Sequence, residues 1–321
     1  MLRFLFAAVA ALAAGLPCDG VAQSFPARPV RLVVPYGSGG APDVLSRTLA
    51  QKLGERFDQQ FIVDNRPGAG GIIAAENVAR SPADGYSLFV ADTGHFAINV
   101  SLYGHLPYDP LRDFEPVMLV ASTPLFLAVG VMQPVKSVAD LLALARSRPE
   151  GIAYGSSGSG SPHHLAMAEI GALTGANLVH IPYKGVAQSV PAVLTGDVVA
   201  VFAGLPSIMP HVKSGKARLI AVNTRERTPL MPDLPTVAET VPGFDVGVSI
   251  GILAPAGTPA DIVRKLNMEL KAVLEAPDMV ERLRALGIDV IASTPEQFAA
   301  AMRADVDRYA RVVKDSGAHV D

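Results

Sequence analysis

A single cysteine, Cys18, and no tryptophan occur in the 321 residues, which excludes a disulfide framework and a thiolate metal cluster. Charge is scarce as well. Asp, Glu, Lys and Arg make up 18% of the chain, and 27 basic against 30 acidic side chains leave a net charge of -3. A nucleic-acid binder needs a basic face to neutralise phosphates, so that class is disfavoured. Beyond the N-terminal region no stretch reaches the ~18 uninterrupted apolar residues of a membrane-spanning helix. Apolar bulk, by contrast, is plentiful: 50% of the residues are hydrophobic and the mean hydropathy is +0.32. That is enough for a sizeable core and excludes wholesale disorder. At about 150 residues per domain, the length predicts two domains.

The N-terminus reads as an address. Arg3 supplies a positive end, Phe4 to Leu16 form a short apolar run, and Pro17, Asp19 and Gly20 break it. The run is too short to cross a bilayer. Gly20 and Ala22 place small side chains where a signal peptidase inspects them, which predicts a signal peptide over 1–22 and a mature start at Gln23. Gly15, Leu16 and Pro17 match the lipoprotein pattern before Cys18 poorly, so the cysteine is expected to leave with the signal. The mature protein is then expected to be soluble in the periplasm.

Short Val-, Ile- and Leu-rich runs alternate with helical patterns. Val30–Val34, Gln60–Val63, Tyr86–Ala91 and Val117–Ala121 read as buried strands in the first half. Ile152–Tyr154, Leu178–Ile181, Val198–Phe202 and Arg218–Val222 follow in the second. Pro42 to Leu53 reads as a helix, with Leu45, Leu49 and Leu53 on one face and Gly54 as its stop. Caps are predicted at Ser137 with Asp140, Thr258 with Asp261, and Thr294 with Gln297. The alternation implies α/β architecture with mainly parallel sheets. Two crossings are predicted, one around Ser122–Pro124 and one over 225–244, where Leu230, Leu234 and Val237 remain to be buried.

Two glycine-rich segments stand where a strand gives way to a helix. One runs from Pro35 through Tyr36, Gly37, Ser38, Gly39 and Gly40 to Asp43. The other is Gly155-Ser156-Ser157-Gly158-Ser159-Gly160-Ser161-Pro162, followed by His163 and His164. Such turns expose consecutive N–H groups and the positive end of a helix, which attract an anion, although a tight structural turn has the same composition. Enzyme motifs are missing. There is no dinucleotide fingerprint, P-loop, G-x-S-x-G elbow or H-E-x-x-H. The adjacent His163 and His164 cannot share one helical face as metal ligands do, and no metal or other cofactor is expected. Asp64 and Asp92 end strands and suit either carboxylate chemistry or turns. Between Gly151 and Pro210 only Glu169, Lys184 and Asp197 are charged. A site there would hold its ligand by N–H groups, hydroxyls and water, a design suited to reversible capture of a small carboxylate.

Several motifs resemble the Bug family, the extracytoplasmic solute receptors of tripartite tricarboxylate transporters. They are Pro35-Tyr36-Gly37-Ser38-Gly39-Gly40 with Asp43, Asn65-Arg66-Pro67-Gly68-Ala69-Gly70-Gly71 and Ser81-Pro82-Ala83-Asp84-Gly85-Tyr86. Leu106-Pro107-Tyr108-Asp109-Pro110, Ile181-Pro182-Tyr183-Lys184-Gly185 and Leu253-Ala254-Pro255-Ala256-Gly257-Thr258-Pro259 complete the set. The resemblance implies a type II periplasmic binding protein fold: two α/β lobes around a ligand cleft joined by two crossover strands. Lobe 1 is expected over 23–122 plus 249–321, and lobe 2 over 123–248. It implies a monomeric binder of a small carboxylate, without catalysis, that delivers to a two-subunit membrane permease. A receptor feeding a sensor kinase, and a secreted hydrolase using Ser157 or Ser159 with His164, are the alternatives. The ligand residues implied are Tyr36 to Gly40 with Asp43, Thr93, Ser156 to Ser161, His164, Tyr183, Ala203 and Gly204. Ala203 and Gly204 stand where relatives often carry an aspartate after the phenylalanine matched by Phe202, and Ile72 replaces a frequent polar residue. The missing acid predicts a ligand without a free amino group, with a neutral or apolar distal part, unless Asp43 or Asp92 supplies the acid.

Overall fold

The computed structural model describes residues 25–316 together with 318 and 320; the expected signal peptide lies outside the described residues. The chain first lays down β1 (Val30–Val34), β2 (Phe61–Asn65), β3 (Ser87–Asp92) and β4 (Phe114–Ser122). It crosses over to build β5 (Phe126–Gly130), β6 (Ile152–Ser156), β7 (Leu178–Pro182), β8 (Ala200–Ala203) and β9 (Ala217–Val222). It then returns through β10 (Ser249–Pro255) and β11 (Asp289–Val290). The strands form two sheets, in the orders β11-β4-β10-β3-β1-β2 and β7-β6-β8-β5-β9.

The helices are α1 (Ala41–Phe57), α2 (Ile72–Ala79), α3 (Asn99–Leu102), α4 (Val138–Ser147) and α5 (Pro162–Thr174). They continue as α6 (Val186–Thr195), α7 (Leu205–Lys213), α8 (Ala260–Leu274), α9 (Pro277–Ala285) and α10 (Pro295–Ser316). A π-helical turn, Gly94–Ile98, follows β3 directly. The two sheets with their helices form two lobes.

The strand interiors follow from composition. All six residues of β3 are buried, as expected of a strand covered on both faces. β1 pairs in parallel with β2 and β3, and β6 with β7 and β8. The expectation of mainly parallel sheets is corrected: both sheets are mixed, because the first strand after each crossing runs antiparallel to its neighbours, and the short β11 is antiparallel to β4. β5 runs antiparallel to β8 and β9, and β10 antiparallel to β3 and β4. Both arrive from the other lobe rather than from a covering helix, so no right-handed βαβ crossover fixes them parallel.

Three local expectations are corrected or refined. α1 does not stop at Gly54; it continues to Phe57 and ends at Asp58 in the left-handed region, φ 49°. A glycine inside a helix costs about 1 kcal/mol, which is offset by burying Leu53 and by the Phe57 contact with Phe61, ring centroids 5.5 Å apart. Thr258 does not cap α8; its hydroxyl donates to the Pro255 carbonyl at 2.7 Å and closes the preceding turn. The other two caps form. The Ser137 hydroxyl accepts from the Asp140 N–H at 3.1 Å, and Thr294 and Gln297 bond reciprocally at 2.9 and 3.2 Å. The second crossing is ordered, with Val237, Val241 and Phe244 buried, whereas Leu230 is 38% exposed. α10 packs on β4 and the π-turn and reaches α5 of the other lobe.

Candidate functional site

A cavity lies between the two sheets. It is lined by Thr123, Leu125 and Val248 from the two crossings, by Tyr36, Gly40, Ala41, Pro42, Asp92 and Ile250 of the first lobe, and by Ser157, His163, Val186 and Gly204 of the second. Four helix N-termini meet at this lining. Gly40 is the N-cap of α1, Gly204 that of α7, Val186 opens α6, and His163 sits in the first turn of α5. Each such terminus carries the equivalent of about half a positive charge. No lysine or arginine lines the cavity. Partial charges therefore dominate its positive potential.

One polar cluster anchors the wall. The Tyr36 hydroxyl donates to Asp92 Oδ2 at 2.7 Å, and the Gly94 N–H donates to Oδ1 at 2.9 Å. His95 Nδ1 lies 2.8 Å from the same oxygen. Burial pushes the Asp92 carboxyl up, but His95 and the Tyr36 bond outweigh it and hold the group below the usual range. Burial and the adjacent carboxylate raise the Tyr36 phenol well above its ordinary value, so it stays a donor. Across the cavity, Ser157 Oγ bonds His163 Nδ1 at 2.7 Å. Burial lowers the His163 imidazole to about 4, against a smaller opposing pull from Asp92. At neutral pH this ring is uncharged.

A second cavity of about 420 Å³ adjoins the first and is lined by Gly68 to Gly71, Tyr103, Ser157 to Ser159, Tyr183 and Lys184. Only about 20 Å³ of the inner cavity admits the centre of a water, room for about one molecule. The lobes touch around it: Ser207 Oγ donates to the Gly39 carbonyl at 2.9 Å, and the Tyr103 hydroxyl to the Ser159 carbonyl at 3.4 Å. A wider groove of about 930 Å³ runs along the outer edge at β2, past Gln51, Asp58 and Ile62, and holds none of these polar groups.

The residues expected at the site divide. Tyr36, Gly40, Ser157 and Gly204 line the inner cavity, and Ser157, Gly158, Ser159 and Tyr183 the outer one. Gly37 lies at the lobe contact, where a Cβ would stand 3.7 Å from the Lys184 carbonyl. Ser38 and Gly39 are exposed on the loop.

Other expected residues support these without lining either cavity. Asp43 is not free for a ligand: its oxygens accept from the Gly39 N–H, Arg47 and Asn65. Those bonds outweigh burial and lower its pKa. Thr93 is turned to β10, accepting from the Ser249 N–H at 2.9 Å. Ser156 bonds His180 Nε2 at 2.6 Å behind the loop, and Ser161 caps α5. Gly160, φ 81°, faces Asn99 of the first lobe. His164 points away and stacks on His180, centroids 3.9 Å apart. Neighbours on a helix diverge by about 100°, so only one histidine of the pair can face the cleft, and it is His163. Ala203 is fully buried in the apolar core of the second lobe, beside Phe126 of β5; only Gly204 of that pair reaches the cavity. His163, His95, Thr123 and Val248 went unpredicted, and only the strand-end position of Asp92 signalled its place.

Residues 45–318 match the family model described as the tripartite tricarboxylate transporter family receptor. The chain belongs to that family. The receptor is 34% identical to protein BugT of Bordetella pertussis over 316 residues, 98% of this chain and 96% of that protein. Among solved structures, it superposes on an adipate-bound protein of R. palustris with a TM-score of 0.89 at 38% identity, covering 92% of this chain and all of that one. The periplasmic binding protein BugD gives 0.87 at 34% identity, covering 92% and 99%. MatC of Rhodopseudomonas palustris with bound malate gives 0.86 at 30%, covering 90% and 100%. The type II periplasmic binding protein fold is thereby borne out. The receptor binds solutes and is not an enzyme. Among the described residues no helix is long and apolar enough to cross a membrane.

Proposed function

We propose that the receptor is exported to the periplasm, captures a small carboxylate that lacks an ammonium group, and passes it to a two-subunit membrane permease. The observation that carries this reading is the meeting of four helix N-termini on a cavity without a lysine or arginine. N-terminal N–H groups and their dipoles favour an anion at no cost of desolvating a protein charge. Ala41, Pro42, Leu125, Val186, Val248 and Ile250 supply apolar contact for the body of the ligand. The adipate and malate of the two R. palustris proteins belong to the same chemical class. An ammonium would find only Asp92, whose oxygens already serve Tyr36, Gly94 and His95. Leaving a charge unpaired there costs several kcal/mol in practice. The receptor acts as a monomer, with 23–122 and 249–321 moving as one body against 123–248.

The test is a thermal-shift panel of mono- and dicarboxylates that includes adipate and malate, followed by calorimetry of an α-amino acid against its deaminated analogue. A ligand at one hundred times its Kd stabilises the fold by about 2.7 kcal/mol, and mass spectrometry is expected to recover it unchanged. Tighter binding of the amino acid, or no carboxylate binding at all, overturns the reading.

A further inference from the structure

We propose that His163 takes up a proton when a carboxylate occupies the cavity, so that the receptor captures its anion together with one proton. The inference rests on the carboxylate reading above and adds a coupled ion to it. Its basis is the charge inventory of the wall. Asp92, 2% exposed, brings a resident negative charge, held by Tyr36, the Gly94 N–H and His95. A second anion then arrives opposite the first. The helix termini answer it with partial charges only. Of the side chains lining this cavity, His163 alone can acquire a full positive charge.

The geometry suits that role. His163 Nδ1 is engaged by Ser157 Oγ at 2.7 Å, which leaves Nε2 for the ligand. An ionised carboxylate accepts and never donates, so the Tyr36 hydroxyl must spend its proton on Asp92. Without a ligand, burial disfavours the imidazolium and the ring stays neutral. A ligand carboxylate at Nε2 supplies the missing counter-charge and turns the ring into a double donor, to Ser157 and to the ligand.

Every charged or titratable neighbour is accounted for. Asp92 stands at the end of β3, with His95 behind it in the π-turn and Tyr36 after β1. His164, next along α5, is stacked on His180 and is itself held neutral by burial. Lys184 lines the outer cavity rather than the inner one.

The experiment is calorimetry of adipate, or of the tightest carboxylate in the panel, at about pH 6.5 in buffers of different ionisation enthalpy. At that pH the ligand's own carboxyls are ionised. The native receptor is expected to take up a fraction approaching one proton per ligand, and affinity to rise by up to about tenfold per pH unit lowered. His163→Gln is expected to remove the uptake and flatten the pH dependence. NMR of the native receptor reads the same event without a variant: the His163 ring should titrate at a higher pH with ligand than without. Binding with no proton uptake and an unmoved His163 resonance overturns this inference and leaves the carboxylate reading standing. A panel in which nothing binds overturns both.

Discussion

Gly160→Ala separates backbone strain from lobe closure. Gly160 adopts φ 81°, and an added Cβ would stand 2.2 Å from Asn99 Oδ1 and 3.2 Å from both Leu102 and Tyr103, all in the first lobe. Real Cβ contacts stay beyond 3.0 Å, so the lobes must withdraw or Asn99 must move. Asn99 is fully buried and its Nδ2 is committed to the Gly70 carbonyl at 3.2 Å and the Tyr108 hydroxyl at 3.3 Å. It has little freedom to yield. The strain of alanine at positive φ, about 1–2 kcal/mol, acts in the open and closed forms alike and lowers the melting temperature. The clash acts only on closure. Overpacking of this kind costs about 1–3 kcal/mol, which weakens ligand binding roughly 5- to 150-fold. Gly257→Ala is the matched control: φ is 80°, nothing lies within 4 Å of its Cβ, and it sits in the turn after β10. Calorimetry and thermal unfolding of the two variants should show similar loss of stability but loss of affinity only for Gly160→Ala. Equal affinities would refute the argument that these residues meet in the ligand-closed form.

Stability should fall on acidification. Burial lowers His163, His164 and His180 to about 4, about 4 and about 3, so below about 6.5 the unfolded chain binds more protons and the fold loses stability as pH drops through that window. Glu169, raised to about 7 by burial, and Asp305, also raised by burial, work in the opposite direction, but two carboxyls oppose three imidazoles. The melting temperature should drop between about pH 7 and 5, and less steeply in His180→Asn; a melting temperature that climbs steadily on acidification contradicts this. The exported protein should begin near Gln23 without cysteine, checked by intact mass of periplasmic material; acyl chains on Cys18 would contradict it.

The strand pattern was legible because β-branched and aliphatic runs such as Val30–Val34 are buried in full apart from Arg31, and few other environments select such runs. The two glycine-rich loops were legible for a related reason: Gly39, Gly158 and Gly160 all hold positive φ, which side chains rarely adopt. What escaped was direction. Ser161 and Pro162 announce the start of α5, but nothing local says which of His163 and His164 faces the cleft, since tertiary packing decides that rotation. The Asp92–His95 contact was hidden too. It depends on a π-turn straight after β3, a geometry without a sequence signature. Ala203 and Gly204 were read as one feature, yet strand alternation turns Ala203 into the lobe core and leaves only the cap residue Gly204 at the cavity.

An ionised aspartate in the wall of an anion site looks self-defeating until its partners are followed. The Gly94 N–H, the Tyr36 hydroxyl and His95 meet the Asp92 carboxylate at 2.7 to 2.9 Å, so much of its charge is answered before any ligand arrives. In exchange it orients Tyr36 and ties β3 to the start of the π-turn that supports Asn99 and the lobe contact. The attraction left for a ligand then comes from helix termini, plus whatever positive charge His163 acquires. An arginine clamp would hold an anion by bidentate charge-assisted bonds and release it slowly. Partial charges bind more weakly, and a receptor that hands its cargo on has to let go. Adding a fixed cation at the cavity, as in Val186→Arg, should therefore tighten capture and slow release; slower dissociation in stopped-flow displacement is the expected result, and unchanged or faster dissociation overturns the argument.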